Sequence, residues 1–308
     1  MRVMQKVHLV SGSGPLIFDI ALAIRERSHE VSVSGDNFNP NELATLIEAG
    51  CICHGNGWFP EKLTKDINFV VLGSTVGEDN PELKRARELG LLVQSIPEFI
   101  YQRTREKTRV VVAGTHGKKT ILSMISYVLQ CQKMDFSYAF TSKVSFLPNH
   151  VSMNYESRIA LIEGDERVAS LLENRVRMEF YRPHIAILTS IEWTPSDKYD
   201  SLESYIGAYK SFVSSIGREG KLIYFAGDTA VAELASDVRE DITAISYDSH
   251  AVEEKDGKNM LVTRYGNFPV HISDDYFLAN LNAARIACRQ LGVKDADFYQ
   301  AISDYSLS

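Results

Sequence analysis

The sequence is poor in the features that mark a chain built on crosslinks, repeats or a bilayer. It has only 4 cysteines in 308 residues. Cys51, Cys53, Cys131 and Cys288 are scattered and form no paired CxxC motifs, so free thiols in a reducing cytoplasm are expected, not a disulfide framework. His8, His54, His116 and His271 show no metal-ligand spacing, and no zinc site is assigned. No apolar run approaches the ~18 residues that span a bilayer. The first ten residues run directly into a strand-like segment, without the pattern of a signal peptide. Proline occupies only 9 positions, and 24% charged with 44% hydrophobic residues excludes a disordered chain. Internal repeats and low-complexity stretches are missing too. With 33 Lys+Arg against 40 Asp+Glu, the net charge of −7 argues against non-specific binding to nucleic acid or anionic membranes, although a local basic patch stays open. What remains is a soluble cytoplasmic globular protein whose length predicts about two domains.

Strand and helix patterns alternate along the chain, as in parallel sheets with helices on both faces. KVHLV reads as a strand followed by Gly12-Ser13-Gly14, and Leu16, Ile17, Ile20, Ala21 and Ile24 then recur at helical spacing. Further strands are expected at Val31–Ser34, Cys51–His54, Asn68–Gly73 and Leu91–Gln94. Pro97 opens another helix, and the charged run Arg103–Lys107 reads as a linker. A second unit begins at Arg109, with strands at Arg109–Ala113, Ile159–Glu163, Ile185–Thr189, Lys221–Phe225 and Ile242–Tyr247. Turn signals at Asp256-Gly257 and Gly266-Asn267 predict a small antiparallel appendage. A helix is expected over Leu278–Leu291, and another after Asp295.

The strongest motif is RVVVAGTHGKKT, residues 109–120. An apolar strand runs into a glycine-rich loop with Lys118, and an amphipathic helix follows. Backbone N–H groups and a helix N-terminus in that context cradle phosphates, and a lysine reaches the outer ones. A strict phosphate loop places a hydroxyl residue directly after its lysine to hold Mg²⁺. Here that position is Lys119, and Thr120 follows one residue late. The alternative is an ordinary strand–turn–helix junction. Glu163, Asp165 and Glu166 end one strand pattern and Glu192 ends the next. Carboxylates at that edge of a parallel sheet either hold a metal opposite the loop or cap helices. Gly12-Ser13-Gly14, with Asp36 after the second strand, resembles a dinucleotide fingerprint without its third glycine. A tight turn and a nucleotide site both fit.

In order, GSG, SGD, VVLGSTVGEDNPE, RVVVAGTHGKKT, LIEGDE and YRPHIAILTSIEW resemble the Mur ligase family of ATP-dependent amide-forming ligases of peptidoglycan precursors. The resemblance covers nearly the whole chain. EDNPEL, GTHGK, EGDE and YRP are most similar to the branch that attaches a recycled tripeptide to UDP-N-acetylmuramate, with the alanine-adding ligases second. It implies a Rossmann-like UDP-binding domain over 1–106. A P-loop-type parallel-sheet ATP-binding domain with the antiparallel appendage follows over 107–308. The family's third, C-terminal domain is not expected within these residues.

The resemblance also implies a reaction. ATP phosphorylates a muramoyl carboxylate and an amine attacks the acyl phosphate, so catalysis is mostly positioning and charge neutralisation. By position, Lys118 and Glu163 are the catalytic residues. Gly114, Thr115, His116, Gly117, Lys118, Thr120 and Asn280 bind ATP. Gly12, Gly14 and Asp36 face the UDP group of a UDP-N-acetylmuramate-type substrate, and Glu163 and Glu192 hold Mg²⁺. No nucleic acid or membrane insertion is expected, and no protein partner is identified. Three departures count against the metal and the base. Lys119 replaces a hydroxyl ligand, Thr194-Pro195 replaces an Asp-His pair, and Tyr276-Phe277 replaces His-Asn before Asn280. The expectation is a Mur ligase homologue with impaired activity. The alternative is a catalytically degenerate nucleotide-sugar-binding or protein-interaction module.

Overall fold

The structure is a computed structural model that describes residues 4–11, 14–195, 198–272 and 274–305. Strands β1 (Lys6–Ser11), β2 (Glu30–Gly35), β3 (Ile52–Asn56), β4 (Phe69–Leu72) and β5 (Leu92–Ser95) form a parallel five-stranded sheet in the order β3-β2-β1-β4-β5. Helices α1 (Pro15–Arg25), α2 (Pro40–Glu48), α3 (Pro81–Glu88) and α4 (Ile96–Thr104) connect them. Each of these helices has proline in its first turn, where the missing N–H costs nothing. Asn39 and Asn80 cap the second and third by accepting from backbone N–H groups.

The second half is built from β6 (Thr108–Ala113), α5 (Lys118–Cys131), β7 (Phe136–Ala139), β8 (Val151–Ser152), β9 (Ile159–Glu163), β10 (Val168–Ser170), β11 (Glu173–Val176), α6 (Arg177–Phe180) and β12 (Ile185–Leu188). It continues through α7 (Leu202–Ser214), β13 (Lys221–Phe225), α8 (Thr229–Ser236), β14 (Thr243–Tyr247), β15 (Val252–Lys255), β16 (Lys258–Thr263), β17 (Gly266–Pro269), α9 (Asp275–Gln290) and α10 (Asp295–Ile302). Its seven-stranded sheet has the order β14-β13-β12-β6-β9-β7-β8 and is parallel except for β7–β8. The antiparallel appendage forms as β15-β16-β17, with Asp256, Gly257 and Gly266 at positive φ in its turns. The fold is thus mixed α/β, two parallel sheets with small antiparallel additions.

The central strands VVVA, IALIE and IAIL are buried on both faces, which is why they read as continuous apolar runs. Alternate residues of β6 serve different cores. Val110 and Val112 pack with α5, α9 and α10, whereas Val111 and Ala113 belong to a cluster that also contains Leu9 and Ile20 of the first half. One apolar cluster therefore runs from the first sheet into the second. No helix among the described residues is long and apolar enough to cross a membrane.

The structure adds local detail to three of these expectations. Within the run 103–107, read as a linker, Arg105 and Glu106 are exposed but their neighbours are packed. Arg103 lies over the rings of Phe69 and Phe99 at 4.9 and 5.1 Å, and Lys107 is buried, donating from Nζ to the Asn154 carbonyl at 2.8 Å. The last long helix starts at Asp275, because the Asp274 side chain accepts from the Phe277 N–H at 2.9 Å and caps it there. The strand expected at Ile185–Thr189 forms as Ile185–Leu188, so Glu192 lies beyond it, among residues that wrap the loop that follows β6.

Arg109 joins the halves. Only 5% exposed, its guanidinium donates to the carbonyls of Thr104 and Arg105 at the end of α4, and to those of Tyr181 and Arg182 before β12, at 2.7–2.9 Å. Arg109→Leu strands these carbonyls in an apolar setting and is expected to lower stability by roughly 2–4 kcal/mol in urea unfolding. An unchanged midpoint would show that water replaces the guanidinium without cost.

Candidate functional site

The order of the second sheet places β6 between β9 and β12, which extend the sheet in opposite directions, so the loop after β6 lies at a topological switch point. Gly114 has φ +128°, and a Cβ there would overlap Thr189 Oγ1 and sit 3.0 Å from Ser190 N and O. Gly117 has φ +81°, is the N-cap of α5, and leaves room only for the Asn280 side chain. Both positions require glycine, for conformation and for space. The first turn of α5 has no side-chain cap and no acidic residue, so its N–H groups and positive dipole end face the loop. Lys118 folds back over the loop, with Nζ donating to the Gly114 carbonyl and, at 3.4 Å, to that of Thr115. His116 is exposed, and Thr120 is half-buried in the first turn.

The neighbouring strand end builds the other wall. Thr115 N donates to the Ser190 carbonyl at 2.7 Å, and Thr189 Oγ1 donates to the His116 carbonyl at 2.6 Å. Thr115 Oγ1 accepts from Glu192 N at 2.9 Å and lies 3.1 Å from Tyr205 OH, which lies 3.0 Å from Tyr209 OH. Burial pushes the Tyr209 hydroxyl far above the ordinary phenol value, so that hydroxyl under the loop stays protonated. Beside the loop is a cavity of about 390 Å³ lined by Phe225, Tyr247 and Ala279, with His116, Ser190 and Asn280 at the loop side. Ser190 Oγ is buried there with no hydrogen-bond partner. An apolar slot with a few polar groups beside an anion cradle suits a nucleobase attached to phosphates. Ser190 was silent in the sequence, since only the folded loop brings it against Gly114.

The acidic residues of the strand ends differ in how far they are engaged. Glu163 is 4% exposed, and its Oε2 accepts the N–H groups of Thr141 and Ser142 at 2.8 and 2.9 Å while Ser142 Oγ donates to Oε1 at 3.1 Å. It fastens the chain that follows β7. Glu192 is exposed, 3.3 Å from His116 Nε2, and accepts from Tyr276 OH at 3.4 Å. Among the described residues no three His, Cys, Asp or Glu side chains are grouped to hold a metal. Lys119, Thr194 and Pro195 are all exposed. The donor set as it stands does not fit a divalent cation beside the loop.

At the first sheet, Gly14 has φ +118° and is the N-cap of α1. It borders a cavity of about 310 Å³ that Ser11, Gly35, Phe38 and Asn39 also line. Asp36 is exposed and lies between Gly35 and Asn37, both of which line that cavity. Gly12 lies outside the described residues. Gly14 also borders a cleft of about 410 Å³ between the two halves, together with Ser74, Thr75, Thr141, Arg167 and Arg177. The two arginines were not singled out in the sequence. Both pair with the buried Asp165, at 2.7 Å from Arg167 Nε and 3.0 Å from Arg177 Nη1. Burial alone would raise the Asp165 carboxyl, but the Arg167 hydrogen bond and the Arg177 charge outweigh it and hold the pKa below the usual value.

Two outcomes follow. Gly114→Ala forces a Cβ into Thr189 and is expected to cost about 2 kcal/mol or more and to abolish nucleotide binding. Thermal unfolding and ligand titration measure both effects. Asp165→Asn removes a carboxylate whose folded pKa is depressed. Its stabilisation is present above the unfolded value and is lost as pH falls through the folded one. The variant is therefore roughly 2–4 kcal/mol less stable at pH 7, and the gap narrows below about pH 4. A gap constant with pH would mean that the ion pair contributes nothing.

Comparison with known proteins agrees with this geometry. Residues 112–288 match the Mur ligase middle domain. The UDP-N-acetylmuramate–L-alanine ligase of Carboxydothermus hydrogenoformans is 27% identical over 99% of this chain, and that of Streptomyces coelicolor is 26% identical over 98%. The chain spans 65% and 66% of the lengths of these relatives. Among solved structures, the UDP-N-acetylmuramate:L-alanyl-γ-D-glutamyl-meso-diaminopimelate ligase from Neisseria meningitides superposes with a TM-score of 0.84 at 19% identity, covering 99% of both chains. The UDP-N-acetylmuramate-alanine ligase from Thermotoga maritima gives 0.70 at 18% identity, over 97% of this chain and 68% of that one. With the family's middle domain matched over more than half its length, the chain belongs to the Mur ligase family.

Proposed function

We propose that residues 1–106 form a UDP-binding unit and 107–308 an ATP-binding unit, and that together they hold a UDP-N-acetylmuramate-type substrate facing an ATP-type nucleotide. The whole protein then belongs to the cytoplasmic synthesis or recycling of peptidoglycan precursors, with impaired ability to join an amino acid or peptide to the muramoyl carboxylate. The observation that carries this reading is the cradle of Gly114, Gly117 and Lys118 beside a base-sized cavity that ends at Asn280.

When bound, ATP supplies the phosphoryl group that activates a carboxylate. The chain's own residues bind and orient. The first-turn amides of α5 and Lys118 Nζ face the phosphates, and an incoming phosphate oxygen takes over the lysine contact now made by the Gly114 and Thr115 carbonyls. Asn280 and Ser190 offer polar groups to the base, while Phe225 and Tyr247 exclude water from it. Gly14 and the α1 N-terminus face the nucleotide-sugar diphosphate. Arg167 and Arg177 line the cleft through which the sugar's carboxylate approaches the cradle.

A second reading is that the chain binds these ligands without ligating them. It is favoured by the commitment of Glu163 to Thr141 and Ser142 and by Lys119 in place of a hydroxyl. Calorimetric titration with UDP-N-acetylmuramate, followed by a phosphate-release assay with ATP, Mg²⁺ and an amine, tests the proposal. Saturable binding with phosphate release at least 100-fold below that of an active ligase of the family is expected. A folded chain that fails to bind the nucleotide sugar would sink the proposal. Release at the rate of an active ligase would restore full activity.

A further inference from the structure

We propose that the β6–α5 loop takes its nucleotide as the metal-free polyphosphate, with Lys119 supplying charge where a metal would otherwise sit. This rests on the nucleotide-binding reading of the loop and goes beyond it.

The argument is one of charge and of available oxygens. A phosphate-bound Mg²⁺ needs nearly ideal octahedral coordination by hard oxygens, usually including one or two from the protein. At the position after Lys118, where a hydroxyl would serve, the chain has an ammonium. Lys119 occupies the first turn of α5, is exposed, and makes no ion pair with the described residues. Glu163 has both oxygens occupied by three donors. Freeing it for a metal would orphan the Thr141 and Ser142 amides. Glu192 is held between His116 and Tyr276. A dication would therefore meet two adjacent lysines and the positive end of a helix, with Glu163 committed and the exposed Glu192 and half-buried Glu166 left to balance them. A bare nucleoside triphosphate meets the same groups as attraction. Magnesium removes two of the ligand's negative charges, so its addition weakens binding at this site instead of strengthening it.

The same surroundings explain why the loop still suits phosphate. The glycine positions that admit close backbone approach are retained, and Lys118 is already poised over them. Only the metal's share of the site has been exchanged for a side chain.

The test titrates the full chain with ATP at matched ionic strength, once in excess EDTA and once in excess MgCl₂, with UDP-N-acetylmuramate as a parallel ligand. Affinity for ATP is expected to be at least threefold higher in EDTA. Lys119→Thr, at an exposed position that leaves the circular dichroism spectrum unchanged, is expected to weaken binding in EDTA by roughly tenfold and to reverse the magnesium effect. Mg²⁺ that tightens or leaves unchanged ATP binding to the native chain would overturn the inference. A variant indistinguishable from the native chain would do the same. If ATP binds in neither condition while UDP-N-acetylmuramate binds, the inference fails and the nucleotide-sugar reading stands. If neither ligand binds, both fail.

Discussion

A buried guanidinium that makes no ion pair among the described residues sets how the two sheets meet. Arg109 is compensated mainly by carbonyl dipoles, with the Tyr101 ring 5.2 Å away, and the carbonyls come from both halves of the chain, the end of α4 and the residues before β12. A buried cation is expensive unless its hydrogen bonds are met, so those carbonyls must converge wherever Arg109 is placed. Since Arg109 lies on β6 itself, the central strand of one sheet and the last helix of the other are fixed by a single side chain. The apolar cluster shared by Leu9, Ile20, Val111 and Ala113 then fills the contact. The cleft bordered by Gly14, Thr141 and Arg177 is the space that this arrangement leaves open.

Within the second half, the loop after β6 is shaped as much by β12 as by its own glycines. Thr189 and Ser190 pass so close to Gly114 that no side chain fits between them, and their hydrogen bonds hold Thr115 and His116 in place. Thr115 in turn rests on the Tyr205–Tyr209 hydroxyl pair. The loop is thus braced by hydrogen bonds from the residues after β12 and from α7.

Carboxylates at strand ends show how hydrogen-bond demand decides a role that position leaves open. Glu163 stands where a metal ligand is expected in a nucleotide-binding sheet, yet two backbone amides and a hydroxyl need it more immediately. Asp165, two residues on, is consumed by Arg167 and Arg177. Beside the loop after β6, Lys119 and Glu192 are both exposed while Glu163 is committed.

The parallel strands, the glycine loop with Lys118 and the antiparallel appendage were legible in the chain because each is a local pattern, either a both-faces-buried apolar run or a turn residue at its required φ. The β10–β11 hairpin was not, since ENRV carries no apolar alternation and is held by its contact with Ser74 and by Leu172 packing under the first sheet. The start of α9 turned on one capping interaction of Asp274. Family membership, the sheets and the glycine loop after β6 were thus determined by the sequence itself, through periodicity and through glycines that admit no substitute. Tertiary structure decided the burial of Lys107 and Arg109, the unpartnered hydroxyl of Ser190 and the commitment of Glu163. Each depends on a carbonyl, amide or strand end from a distant part of the chain, and side-chain type alone cannot say which partner will claim a charge once water is excluded.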